Sequence, residues 1–223
     1  MADPAHTDAA PGDPVPVHSV QEEYFHLMVR RCACGGPWAS TGQTAEPSGN
    51  RLLHRVSVRC ASCGKERTLR FVLPAGARPD GQAPVREINP TDEPSRALDV
   101  AEWMVLARFY VERVARLTGA RERAQSLLDA RQCLEEALKF YGPEDDAPPP
   151  AALWSKASRD KVGANPGTYR RATIQAMLAK IPSEDRLRQA DADDQRAFRK
   201  ALRTAAREHI GRRWWEFWKR GKN

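Results

Sequence analysis

Four of the five cysteines fall in two close pairs, Cys32 and Cys34 in the run CACGG and Cys60 and Cys63 in the run CASCG. A cysteine binds metal as its thiolate, and a tight turn that aims two thiolates at one point makes half of a tetrahedral site. A second turn of the same kind completes it. Glycine directly after the second cysteine lets the backbone reverse with positive φ, and Gly35 and Gly64 hold those places. The pattern points to one closed four-sulfur metal site. A closed shell leaves no position for an activated water, so such a site is structural rather than hydrolytic. Cys133 stands alone in a helical pattern and reads as a small core residue.

Short strands must carry these turns. Residues 50–59 alternate, with Leu52, His54, Val56 and Val58 on one face and Leu53, Arg55, Ser57 and Arg59 on the other. Past the second pair, Leu69, Phe71 and Leu73 alternate with Thr68, Arg70 and Val72. Two such runs about a turn make a hairpin, and the segment around Trp38 is a candidate third strand. Tyr24, Phe25, Leu27, Met28 and Val29 lead into the first pair as either a short helix or a strand.

The stretch 32–74 resembles a zinc ribbon, which is two cysteine knuckles, a small antiparallel sheet and one tetrahedral zinc. The resemblance implies one structural zinc as cofactor, held by Cys32, Cys34, Cys60 and Cys63. The first pair is C-x-C where zinc ribbons carry C-x-x-C, and His26 or His54 is the alternative to one of these ligands. The order of a cysteine ribbon and then a Trp-bearing helical domain resembles bacterial proteins of that build, and no activity follows from the likeness.

The chain has 223 residues and a net charge of +7. Residues 195–223 contain ten Lys/Arg against two acids, so this segment carries the whole excess. There Phe198, Leu202, Ala206, Ile210, Trp214, Phe217 and Trp218 form a stripe, with Trp215 beside it. A basic amphipathic helix ending in tryptophans suits an anionic membrane surface or the groove of a protein partner. Nucleic acid is a further expected partner, through this tail and through Arg51, Arg55, Arg59, Arg67 and Arg70 of the ribbon. The packing alternative is a helix that closes on its own bundle. No stretch approaches the roughly 20 apolar residues of a spanning helix. The first twenty residues have neither a basic start nor an apolar run, so the expected location is cytoplasmic, with peripheral membrane contact open.

Between these ends the pattern is helical. Asp99 and Glu102 fit a capping box, and Trp103, Ala107, Tyr110, Val114 and Leu117 follow at helical spacing until Thr118-Gly119. Ala124, Leu127, Leu128, Leu134, Ala137, Leu138 and Tyr141 continue to Gly142-Pro143, which predicts an αα-hairpin. Leu153 and Trp154 suggest an anchoring turn, and one more helix is expected from Pro166 to Lys180. The predicted class is α+β, a small antiparallel zinc-ribbon-like β module followed by an α-helical domain. Its expected parts are a disordered head (1–20), the ribbon (21–74), a Pro-rich linker or strap (75–94), the helical domain (95–182) and the basic C-terminal helix (183–223). No phosphate-cradling glycine loop, nucleophile elbow or H-E-x-x-H motif occurs. The composition favours a non-enzymatic adaptor or regulator; an enzyme with a site in the helical domain is the weaker alternative.

Overall fold

The computed structural model describes residues 13–75, 88–189, 192–193, 196–197 and 200. The fold is α+β. Its sheet has the order β1-β4-β3-β2, from strands Val15–Pro16 (β1), Trp38–Ser48 (β2), Arg51–Cys60 (β3) and Glu66–Pro74 (β4). Neighbouring strands run antiparallel except β1, which lies parallel to β4. The α-helices with both ends described are Val20–Val29 (α1), Val100–Val114 (α2), Ala120–Leu138 (α3), Lys156–Ala164 (α4) and Arg171–Lys180 (α5), and residues 184–189 are helical as well. Short 3-10 turns lie at Pro150–Ala152 and Pro166–Tyr169.

The chain forms two compact units. One holds the described residues up to Phe109 together with Ala130–Ile181, and the other holds Tyr110–Asp129 with those from Pro182 onward. In the second unit Ser126 Oγ donates to Tyr110 O at 2.8 Å, tying α3 to the last turn of α2. No described helix is long and apolar enough to cross a membrane.

The first unit contains the sheet. Its alternation decides which face is covered: His54, Val56, Val58 and Cys60 of β3 are buried, as are Phe71 and Leu73 of β4. Helix α1 lies against this core, with Phe25 edge-on to Trp103 at 5.8 Å and His26 edge-on to Phe71 at 5.5 Å. The apolar run before the first cysteine pair is therefore helical. Ser19 caps it by accepting Glu22 N–H at 3.2 Å. Of the head expected to be disordered, residues 1–12 lie outside the described residues; in the rest Val15–Pro16 form β1, Val17 is buried, and Ser19 Oγ donates to Ile88 O at 2.6 Å.

The capping box before α2 is present in full. Asp99 N–H donates to Glu102 Oε2 at 3.0 Å and Glu102 N–H to Asp99 Oδ1 at 3.0 Å. The second carboxylate oxygen of Asp99 accepts Trp154 N–H at 3.2 Å, so the anchoring turn is tied to the same cap. The helix expected over 166–180 is divided. Tyr169 O accepts Tyr141 O–H at 2.5 Å, Arg170 is extended, and α5 starts one residue later. Helix α4 has no apolar stripe for periodicity to find, since its sequence is KASRDKVGA.

Buried acids line α1. Glu22 and Glu23 are 0 % and 2 % exposed. His18 N–H donates to Glu22 Oε2 at 2.5 Å, and Glu23 Oε2 lies 2.7 Å from His54 Nδ1. Burial, with Glu22 beside it, pushes the Glu23 carboxyl up to about 8. Burial also holds His54 below its ordinary value, so the contact is a neutral acid donating to a neutral imidazole. Glu102 is raised by burial to about 7, against the opposing charge of Arg30 at 3.2 Å. His26 is lowered by burial to about 4.

These shifts set a pH window. The stability conferred by Glu23 and Glu102 is full below about 4.5 and is lost as pH rises toward 8. That from His26 is full above 6.5 and is lost as pH falls toward 4. Between pH 6.5 and 8 the glutamates dominate, so the urea midpoint should fall across that interval. Glu23→Gln keeps a donor for His54 and should flatten the fall, raising stability at pH 8 by roughly 1–2 kcal/mol. An equally steep fall in the variant would remove Glu23 as its source.

Candidate metal centre

The two cysteine turns meet at one end of the sheet. In the first, Cys32 N–H donates to Gly36 O at 3.0 Å and Gly35 N–H to Cys32 O at 2.7 Å. In the second, Cys60 N–H donates to Lys65 O at 2.8 Å and Gly64 N–H to Cys60 O at 3.0 Å. Both turns thus make the same pair of bonds, and the first makes them with one residue fewer. This is how C-x-C does the work of C-x-x-C here. Gly35 and Gly64 have φ of 82° and 74°, the left-handed region that favours glycine.

Register brings the turns together. Trp38 pairs with Cys60 between β2 and β3, and Ala61 N–H donates to Pro37 O at 3.0 Å. Gly36 then lies against the second turn. A Cβ there would stand 2.6 Å from Cys60 Sγ and 2.5 Å from Ser62 Oγ, closer than a side chain can come.

The result is a cluster of Cys32, Cys34, Cys60 and Cys63 whose sulfurs all lie within 4.8 Å of one another. Cys34 Sγ is 3.4 Å from Cys60 Sγ, and Cys32 Sγ is 3.7 Å from Cys63 Sγ. A tetrahedral zinc with bonds of about 2.3 Å needs sulfur–sulfur edges of about 3.8 Å. The donor set and its spacing fit that ion. Cys32 and Cys60 are buried, and Cys34 and Cys63 are exposed.

The backbone prepares one sulfur for the ionised state. The N–H groups of Cys63 and Ser62 bond to Cys60 Sγ and, with neighbouring thiols, bring it to about 6. At Cys34 the Gly36 N–H pulls the same way, but the sulfurs of Cys63, Cys60 and Cys32 push the thiol up to about 12. Four sulfurs this close resist ionising together until a cation joins them.

Among the described residues no histidine belongs to the cluster. His26 Nδ1 donates to Ala97 O at 3.0 Å, and His54 is engaged by Glu23. The alternative ligands therefore serve the core instead. Cys133 is buried in α3.

The other predicted residues divide. Strand pairing sets Arg55 opposite Arg70 and Arg59 opposite Glu66, so Arg51, Arg55, Arg59 and Arg70 share the outer face of the sheet. Arg67 pairs with Val58 and falls on the other face. Arg55 is bound by Glu46 and Arg59 by Glu66. Phe198, Leu202, Ile210, Trp214, Trp215, Phe217 and Trp218 lie outside the described residues. The buried acids Glu22 and Glu23 escape sequence reading, because an acid in a first helical turn resembles ordinary dipole compensation. Ser19 with Glu22 is the one available signal, marking a helix start but not its burial. No protein family, curated protein or solved structure matches the chain.

Gly36→Ala should lower zinc affinity at least tenfold in a chelator competition, because its Cβ displaces Cys60 Sγ. Gly42→Ala is the control, since a Cβ there meets nothing within 4 Å. Equal affinity in the two variants would show that the turns do not need their close approach.

Proposed function

We propose that this chain is a non-enzymatic zinc-binding adaptor or regulatory protein, in which the metal holds a small sheet together and function resides in surface contacts. The observation that carries this reading is the closed set of four cysteine sulfurs within 4.8 Å, with no fifth ligand and no histidine in the cluster among the described residues. Zinc suits four thiolates in a tetrahedron, and such a centre contributes folding energy rather than an activated water.

The partner side of the proposal rests on sequence. The basic stripe with Trp214, Trp215 and Trp218 suits an anionic membrane surface or a protein groove, each of which covers apolar rings and offsets positive charge. A second reading, nucleic-acid binding, draws support from the four arginines on the outer face of the sheet. Two of them are committed to Glu46 and Glu66, which leaves Arg51 and Arg70 as its main cations.

Purified protein should contain about one zinc per chain. Chelation should abolish amide protection in β2, β3 and β4 before it does so in α3. A metal-free preparation with the sheet still protected would overturn the structural role. For the surfaces, the full chain and its Trp214→Ala/Trp215→Ala/Trp218→Ala variant should be compared on anionic vesicles, and Arg51→Glu/Arg70→Glu on single-stranded DNA and RNA across salt. The membrane reading expects vesicle binding that the tryptophan variant loses. The nucleic-acid reading expects binding that falls steeply with salt and is lost with the arginines.

A further inference from the structure

We propose that the four-sulfur centre is also an oxidation site, at which a hydroperoxide converts the cysteines into two disulfides joining the turns, Cys34–Cys60 and Cys32–Cys63, and releases the metal. The metal-release half rests on the zinc reading above; the disulfide half rests on the sulfurs alone.

Three features carry the inference. First, the centre is open on one side, because Cys34 and Cys63 are exposed while Cys32 and Cys60 are buried. Each turn therefore presents one sulfur to solvent and keeps one behind it. Second, each exposed sulfur has a buried sulfur of the other turn close by, at 3.4 Å for Cys34–Cys60 and 3.7 Å for Cys32–Cys63. An oxidised sulfur thus has a resolving partner already in place. Third, the short first turn restricts the pairing. A single residue separates Cys32 from Cys34, and a bond between them would strain the backbone. Cys34 must look across to the other turn, and once it takes Cys60, Cys63 is left beside Cys32. Cys133 is buried in α3 and takes no part.

The chemistry balances. The Cys34 sulfur, ionised once the metal holds it, attacks one peroxide oxygen, the O–O bond breaks, and sulfenic acid forms as hydroxide leaves. Cys60 thiolate attacks that sulfur, the S–S bond forms, and a second hydroxide leaves. Each hydroxide takes a proton. One disulfide thus consumes two thiolates, one peroxide and two protons, and yields two waters. The peroxide is reduced as the two sulfurs are oxidised. A second round uses Cys63 and Cys32, and the divalent ion, left without ligands, departs unchanged.

The test uses the full chain. Its zinc content is measured first, then hydrogen peroxide is added in steps while a chromophoric chelator reports free zinc. Disulfides are mapped on the same sample. Tryptic cleavage leaves Cys32 with Cys34 and Cys60 with Cys63 on single peptides, so the pairing is read by fragmentation inside the linked species. The expected result is one zinc released per two peroxides, with Cys34–Cys60 and Cys32–Cys63 as the products and full zinc uptake after dithiothreitol. Zinc retained under a tenfold excess of peroxide would overturn the proposal. So would sulfinic or sulfonic products without disulfides, or a bond confined to Cys60–Cys63. A chain without zinc at the outset would overturn the metal reading alone, and its disulfide map would still decide the oxidation.

Discussion

Sulfurs held within 4.8 Å of one another repel once more than one of them ionises, and the end of the sheet is arranged around that repulsion. Backbone N–H groups of Ser62 and Cys63 favour charge on Cys60, and the crowding opposes it on Cys34. A cation at the centre would relieve that repulsion. The sulfurs are set in place by backbone: two turns with the same hydrogen bonds, a glycine in the left-handed region in each, a third glycine where the turns touch, and the β2–β3 register that joins them.

The covered part depends on a different interaction. A small sheet with β2 exposed along nearly its whole length cannot bury enough apolar surface alone. Helix α1 and the start of α2 complete its core through Phe25, Phe71 and Trp103. Three glutamates, Glu22, Glu23 and Glu102, and two histidines are buried in the same place, at a cost that protonation of Glu23 reduces. Glu23 keeps its proton, His54 and His26 stay neutral, and Glu102 meets Arg30. The first unit therefore has a cysteine-clustered end and a titratable middle, and the two respond to different conditions.

The outer face of the sheet is the basic one. Three of its arginines, Arg51, Arg55 and Arg59, sit four residues apart on β3, and Arg55 faces Arg70 directly across the ladder, an arrangement that costs stability unless anions intervene. Glu46 and Glu66 supply two such anions from within the sheet. That internal neutralisation makes the face a weaker polyanion site than its arginine content implies, and moves the weight of any charged contact toward the C-terminal segment.

Much was legible from residue order alone. Period-two alternation identified β3 and β4 and their covered face, because a strand's side chains alternate whatever it packs on. The cysteine spacing with its glycines identified the four sulfurs, and Asp99 with Glu102 identified the start of α2, because both are local backbone devices. What remained hidden depends on partners distant in sequence. Arg67 turned out to oppose Val58 only through register. The 3-10 turn before α5 follows from Tyr141 binding the carbonyl of Tyr169. His26 and His54 were freed from the metal by Ala97 and Glu23, which no spacing in their own segments reveals. The burial of Glu22 and Glu23 is of the same kind: the sequence left this run open between helix and strand, Ser19 with Glu22 carried the only signal of a capped start, and the closing of sheet and helix around that turn decided that its acids would leave water.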